Sequence, residues 1–105
     1  MDTAEDRNEI FRAKVNLETA QIAWKELQRF FASGAAVLVS AELDLVEVAF
    51  HISKDDTTQV EQWLRAGKIG KVPDEQAMVW FESDATVWAV VVSPYVLVQT
   101  AERLQ

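Results

Sequence analysis

One stretch near the end of the chain, residues 87–99 (VWAVVVSPYVLVQ), contains no charged residue. Ser93-Pro94 separates two runs rich in β-branched residues, residues 85–92 (ATVWAVVV) and 95–99 (YVLVQ), which predict two strands. In the first run both alternating sets of side chains are apolar: Val87, Ala89 and Val91 on one side and Trp88, Val90 and Val92 on the other. A strand with one face in water would alternate apolar with polar residues, so this strand is predicted to be covered on both faces.

The rest of the chain contains helical and strand patterns in turn. Apolar residues recur at steps of three and four from Ile10 to Phe31, which predicts a helix over about residues 10–32, either continuous or broken near residues 19–22. The pair Ser33-Gly34 would end it. Residues 35–40 (AAVLVS) and 43–53 (LDLVEVAFHIS) predict strands, and residues 55–67 (DDTTQVEQWLRAG) and 73–83 (PDEQAMVWFES) predict helices.

These elements predict one α+β domain over residues 1–105, with a folded core from about residue 10 to 99 and frayed ends. The predicted order is α-β-β-α-α-β-β, in which an antiparallel sheet of about four strands packs against helices.

Composition excludes several classes of function. The chain has 17 acidic and 10 basic residues and a net charge of −7, which disfavours binding to nucleic acid or anionic lipid. There is no cysteine, so thiolate catalysis and sulfur-ligated metal sites are excluded. The acidic start MDTAEDRNEIF does not fit a secretory signal, and the longest wholly apolar run is far shorter than the roughly 20 residues of a spanning helix. We therefore expect a cytoplasmic protein that does not enter a membrane.

No catalytic residue, cofactor site or metal site is predicted. His51 is the only histidine, and on a strand its face-mate Glu47 would lie about 13 Å away, too far for a hydrogen bond. Asp44 and Glu47 would point to opposite faces of that strand, which separates the acidic group Glu42, Asp44 and Glu47. These expectations weigh against an enzyme.

Residues 67–71, GKIGK, admit a phosphate-binding interpretation. Arg65, Lys68 and Lys71 cluster there, and Gly67 to Gly70 could form the GXXG clamp of a KH-like RNA-binding module. The acids that follow and the net charge favour the plainer interpretation, a helix-ending glycine followed by a turn glycine.

Four segments resemble one family: LETAQIAWKELQRFFASG (residues 17–34), LDLVEVA (43–49), VEQWLRAGKIGKVPDEQAMVW (60–80) and WAVVVSPYVLVQ (88–99). They are similar to the uncharacterised bacterial family catalogued as domain of unknown function 2288. The resemblance implies a small stand-alone bacterial protein, and it brings no assigned activity and no catalytic residue.

The sequence favours a non-catalytic protein that acts through protein contacts, either with another protein or as a homodimer. The second face of residues 86–92 would be buried by a second copy or by the N-terminal helix, and YVLVQ would form an exposed edge strand. The predicted interaction surface comprises Trp88, Val90, Tyr95 and Leu97. The alternative is a small-molecule binder whose pocket is lined by Trp and Phe side chains.

Overall fold

The computed structural model describes residues 18–101, and the part of the predicted N-terminal helix from Ile10 to Leu17 lies outside them. Within this range the chain forms five strands, four α-helices and one 3-10 helix. In chain order these are β1 (Ala20–Ala23), the 3-10 helix (Trp24–Leu27), α1 (Gln28–Ser33), β2 (Ala36–Val39), α2 (Leu45–Ser53), α3 (Thr57–Arg65), β3 (Ile69–Lys71), α4 (Asp74–Glu82), β4 (Thr86–Val92) and β5 (Tyr95–Thr100).

The five strands form one mixed sheet in the order β1-β4-β5-β2-β3. All neighbouring pairs are antiparallel except β2 and β5, which run parallel with Val37 opposite Leu97. The α+β class is confirmed, but the sheet has five strands where about four were predicted, and it is not wholly antiparallel. The prediction that YVLVQ is an exposed edge is also wrong, because β5 lies between β4 and β2.

Helices cover the sheet on both faces. The first face packs against the 3-10 helix, α1 and α4, in a core formed by Trp24, Leu27, Ala36, Val72, Ala77, Trp80, Val87, Ala89, Val96 and Val98. The second face packs against α2 and α3, in a core formed by Val39, Leu45, Val48, Ala49, Ile69, Val90 and Leu97. The prediction that β4 is covered on both faces is confirmed except near the end of the strand, where Val91 is 66% exposed. Helix α2 of the same chain covers its second face, in place of the predicted second copy or N-terminal helix.

Residues 45–53 form helix α2 and not the predicted strand. The Asp44 carboxylate begins this helix, because its Oδ1 accepts hydrogen bonds from the backbone N–H groups of Val46 at 2.9 Å and Glu47 at 3.4 Å. The apolar residues then fall on one helical stripe that packs on the second face: Leu45, Val48, Ala49 and Ile52. The segment also alternates apolar and polar residues in part, so the strand and helix periods were both present in it.

The predicted N-terminal helix is confirmed over residues 28–33, but the prediction is wrong for residues 20–27, which form a strand and a 3-10 helix next to the point where a break was considered. Residues 20–23 form β1 and pair with β4, and Trp24 then donates its backbone N–H to the Ala85 carbonyl at 2.9 Å. Helix α1 ends as predicted, with Gly34 in the left-handed region at φ 82°.

The predicted helices over residues 55–67 and 73–83 are confirmed as α3 and α4. The Asp56 side chain accepts a hydrogen bond from the Gln59 backbone N–H at 3.3 Å at the start of α3, and Gly67 follows its end with φ 73°. Pro73 immediately precedes α4, where its missing N–H costs no helical hydrogen bond.

Candidate functional site

The four residues of the predicted interaction surface do not share one environment. Val90 and Leu97 are 1% and 0% exposed, because α2 covers them on the second face of the sheet. Trp88 is half-buried beside the same core, and Tyr95 is 43% exposed at the start of β5. In the folded chain Val90 and Leu97 are therefore closed to a partner. An interaction at Tyr95 and Trp88 stays a prediction.

His51 joins the two helices that cover the second face. Its Nδ1 donates a hydrogen bond to Asp56 Oδ2 at 2.9 Å, and its ring lies edge-on to Trp63 with centroids 5.4 Å apart. The predicted separation of about 13 Å from Glu47 is wrong, because both residues lie on one helix with Nε2 and Oε1 4.0 Å apart. The histidine ties the end of α2 to the start of α3, which is a structural role.

The contact between His51 and Asp56 makes stability depend on pH. The hydrogen bond from His51, aided by the one from the Gln59 backbone N–H, holds the pKa of the Asp56 carboxyl below its ordinary value of 3.8. A carboxyl whose pKa is lower in the folded state stabilises that state above its unfolded pKa, and this stabilisation is lost as pH falls through the folded pKa.

We expect Asp56→Asn, which retains a capping acceptor, to be less stable than the native chain at about pH 5. The difference in the free energy of unfolding should shrink as pH falls from about 5 to 2. Urea denaturation at a series of pH values measures it, with Asp55→Asn as the control for the loss of one negative charge. A difference between Asp56→Asn and the native chain that is constant over this range would contradict the assignment.

The three acids considered as a metal cluster do not come together. Asp44 caps α2, and the Glu42 carboxylate accepts a hydrogen bond from Lys68, which lowers the pKa of the Glu42 carboxyl. Glu47 lies in the first turn of α2, so the prediction that Asp44 and Glu47 occupy opposite faces of a strand is wrong. Within residues 18–101 no group of three or more potential metal ligands is found.

The GKIGK segment comprises the turn that follows α3 and the edge strand β3. Gly67 follows the helix in the left-handed region, while Gly70 lies in β3 opposite Leu38 of β2. A KH clamp requires the two glycines in a loop between helices, so this arrangement does not supply the geometry of the RNA-binding alternative.

A cleft of about 320 Å³ lies over β3 on the first face of the sheet. Its floor includes Leu38, Gly70 and Thr100, and α4 contributes Gln76 and Trp80 to its wall. Lys68 and Lys71 also line the cleft, and no acidic residue does. This cleft is a candidate binding surface.

A second candidate surface is the solvent side of α4, called here the α4 outer face and defined by Met78, Val79 and Phe81 with Glu75 and Glu82. The three apolar side chains are 61%, 57% and 47% exposed, although Ala77 and Trp80 of the same helix are buried in the core. Both glutamates are also exposed, and helical spacing puts them between Met78 and Val79. The α4 outer face is thus apolar with an acidic ridge.

The α4 outer face could not be identified from the sequence, although the helix itself was predicted. Residues 77–81, AMVWF, are apolar all around the helix, so no amphipathic stripe identifies which side faces the sheet. The Lys25 ammonium, from the 3-10 helix, lies 5.1 Å from the centroid of the Phe81 ring and 3.6 Å from Asp84 Oδ1. A basic side chain therefore borders this surface beside Phe81.

None of the helices described within residues 18–101 is long and apolar enough to cross a bilayer. No curated protein matches this chain significantly. Among solved structures, the NMR solution structure of PA1075 from Pseudomonas aeruginosa is similar, with 43% sequence identity and a TM-score of 0.79 over 98% of this chain and 95% of that chain. Residues 10–100 match the family model described as protein of unknown function (DUF2288). On this match over most of its length, the chain belongs to the DUF2288 family.

Proposed function

We propose that the protein is non-catalytic, acts in the cytoplasm through contacts with another protein, and binds that partner with the α4 outer face. The observation that carries this proposal is the exposure of Met78, Val79 and Phe81 on one helix of nine residues. Large apolar side chains that are grouped on a surface and surrounded by polar residues mark interaction sites. Methionine adapts its shape to a partner at little cost, because its side chain is unbranched and flexible.

Charge selects the class of partner. Glu75 and Glu82 are exposed on the ridge of the α4 outer face, and the whole chain carries a net charge of −7. Two copies joined through this face would bring four glutamates together, which opposes a homodimer. A basic amphipathic helix would place apolar side chains on Met78 and Phe81 and its lysines or arginines beside the glutamates. We therefore commit to a basic amphipathic helix of a different protein.

The proposal that the protein is non-catalytic is supported by the state of the side chains that could otherwise take part in catalysis. The chain has no cysteine, and its single histidine is hydrogen-bonded to Asp56 between two helices. Asp44 and Glu42 are engaged in a helix cap and in a contact with Lys68. These contacts support structural roles for the side chains from which an active site would be assembled.

The first test titrates the ¹⁵N-labelled chain with a synthetic leucine–lysine peptide of about 18 residues, long enough to be helical. We expect saturable shifts centred on α4, with Met78→Lys weakening the binding at least about tenfold. Leu64→Lys is the matched control, because Leu64 is 51% exposed on α3 and lies outside the α4 outer face. Its affinity should equal that of the native chain.

The comparison peptide has glutamate in place of every lysine and should not bind. Equal weakening by Met78→Lys and Leu64→Lys, or equal binding of the two peptides, would contradict the proposed surface and its charge preference. Sedimentation should also give the mass of one chain at about 100 μM, a concentration far above the Kd of a specific complex. A dimer that Met78→Lys dissociates would show that the partner is a second copy.

A further inference from the structure

We infer that the cleft over Gly70 is a binding site for a small carboxylate with a compact apolar body. The inference goes beyond the protein contact proposed above, because the cleft lies against the side of α4 that faces the sheet, where Gln76 and Trp80 line it. Its volume of about 320 Å³ lies at the lower end of the range for ligand clefts, so the ligand is small.

The glycine at position 70 is the first observation that points to a ligand. Gly70 lies inside β3, where glycine weakens a strand because it has no side chain to pack. Its backbone is not in the left-handed region, and a Cβ added there would meet nothing within 4 Å. Neither backbone conformation nor packing therefore requires glycine here. What its missing side chain leaves open is the floor of the cleft.

The charges that line the cleft are the second observation. The chain as a whole is acidic, with 17 acidic residues against 10 basic ones, yet the cleft is lined by two lysines and no acid. Lys68 is engaged by Glu42 from outside the cleft, whereas Lys71 takes part in no ion pair among the described residues. This arrangement attracts an anion to the rim.

The other residues that line the cleft indicate what the uncharged part of the ligand is. Leu38 and Trp80 offer apolar surface, and Ser40, Gln76 and Thr100 provide hydroxyl and amide groups. A phosphate or sulfate ion alone would leave the apolar surface unused. An acid with an apolar body of a few carbon atoms or one aromatic ring satisfies both parts of the cleft.

The test uses 3-phenylpropionate, phenylacetate and hexanoate as probes and follows the ¹⁵N spectrum of the full chain. We expect saturable shifts at Leu38, Gly70, Thr100 and the Trp80 indole N–H. The neutral analogue 3-phenylpropionamide should bind about tenfold more weakly than 3-phenylpropionate, because it lacks the charge-assisted contact. The cationic analogue 3-phenylpropylamine should not bind.

Two variants locate the site. Gly70→Val places on the floor of the cleft a side chain that suits a strand, so it should fold at least as well as the native chain and lose the probe-induced shifts. Gly70→Ala provides a smaller change if valine perturbs the edge strand. Lys68→Gln combined with Lys71→Gln should weaken carboxylate binding about tenfold, while Lys54→Gln, outside the cleft, should leave it unchanged.

Several results would overturn the inference. The first is the absence of saturable shifts with all three carboxylates up to about 10 mM, well beyond the millimolar Kd of a weak complex. The inference would also be overturned by shifts centred away from β3, or by binding that both Gly70→Val and Gly70→Ala leave intact. Equal affinity for the amide and the carboxylate would overturn it as well. Because Met78 does not line the cleft, Met78→Lys should not change these titrations, so this test and that of the α4 outer face can fail independently.

Discussion

Leu97→Lys is expected to unfold the protein. Leu97 is 0% exposed and lies in the second-face core beside Val48 and Val90. A lysine there would bury an ammonium group without a partner, which costs several kcal/mol against a total stability of about 5–15 kcal/mol for a domain of this size. Circular dichroism and the dispersion of the ¹⁵N spectrum measure the loss of the fold.

Tyr95→Lys is the matched control for this change. Tyr95 lies on the same strand, two residues away and on the same face of the sheet, but it is 43% exposed. Its replacement should alter the free energy of unfolding by less than about 1 kcal/mol. The opposite result would be a Leu97→Lys protein that stays folded but changes from a dimer to a monomer in solution. That result would place Leu97 between two chains and contradict the cover by α2.

Trp24→Ala should destabilise the protein by about 3–5 kcal/mol, the usual cost of removing a large buried aromatic side chain. Trp24 is 0% exposed and packs edge-on against Phe31 and Trp80, with ring centroids 5.7 and 5.0 Å away. It holds the 3-10 helix and α4 on the first face of the sheet. Urea denaturation measures this loss. The slope of the free energy of unfolding against urea concentration should stay unchanged, because the substitution alters stability alone.

Trp24→Phe separates the packing of the ring from its N–H group. The Trp24 Nε1 is buried and has no hydrogen-bond partner in the described part of the chain, so phenylalanine gives up ring volume but no hydrogen bond. The expected cost is no more than about 2 kcal/mol. If Trp24→Phe costs as much as Trp24→Ala, the indole N–H makes a hydrogen bond that stabilises the fold.

The parts of the fold that could be predicted from sequence are those with strong local signals. Both faces of β4 are apolar, and the turn at Ser93-Pro94 separates it from β5. Gly34 and Gly67 end helices in the left-handed conformation that glycine tolerates, and Asp56 starts one. Each of these signals acts within a few residues, so the sequence around it is sufficient.

Helix α2 was mispredicted because its residues satisfy two periods at once. Alternation along 45–52 favours a strand, while the stripe of Leu45, Val48, Ala49 and Ile52 fits a helix. The signal that distinguishes them is Asp44 followed three residues later by Glu47, the spacing of a helix-capping pair. Treating this segment as a strand left the second face of β4 without a cover, which led to the prediction that a second copy or the N-terminal helix buries it.

The short edge strands β1 and β3 could not be predicted from local pattern. Gln21 pairs with Trp88, and Gly70 pairs with Leu38, so each strand exists through a partner that is distant in the sequence. Neither AQIA nor IGK has much strand propensity of its own, because alanine and glycine are depleted in strands. The cleft was unpredictable for the same reason, since its floor forms only when β3 joins β2.

The most direct test of the proposed contact surface is site-specific photocrosslinking in the native cells. A photoreactive phenylalanine analogue placed at Met78 should form adducts with another protein, and mass spectrometry should map them to a segment with apolar residues at helical spacing and several lysines or arginines. The same analogue at Leu64, an equally exposed position on α3, should form no such adduct. Adducts with a second copy of this chain, or the same adducts from both positions, would contradict the account.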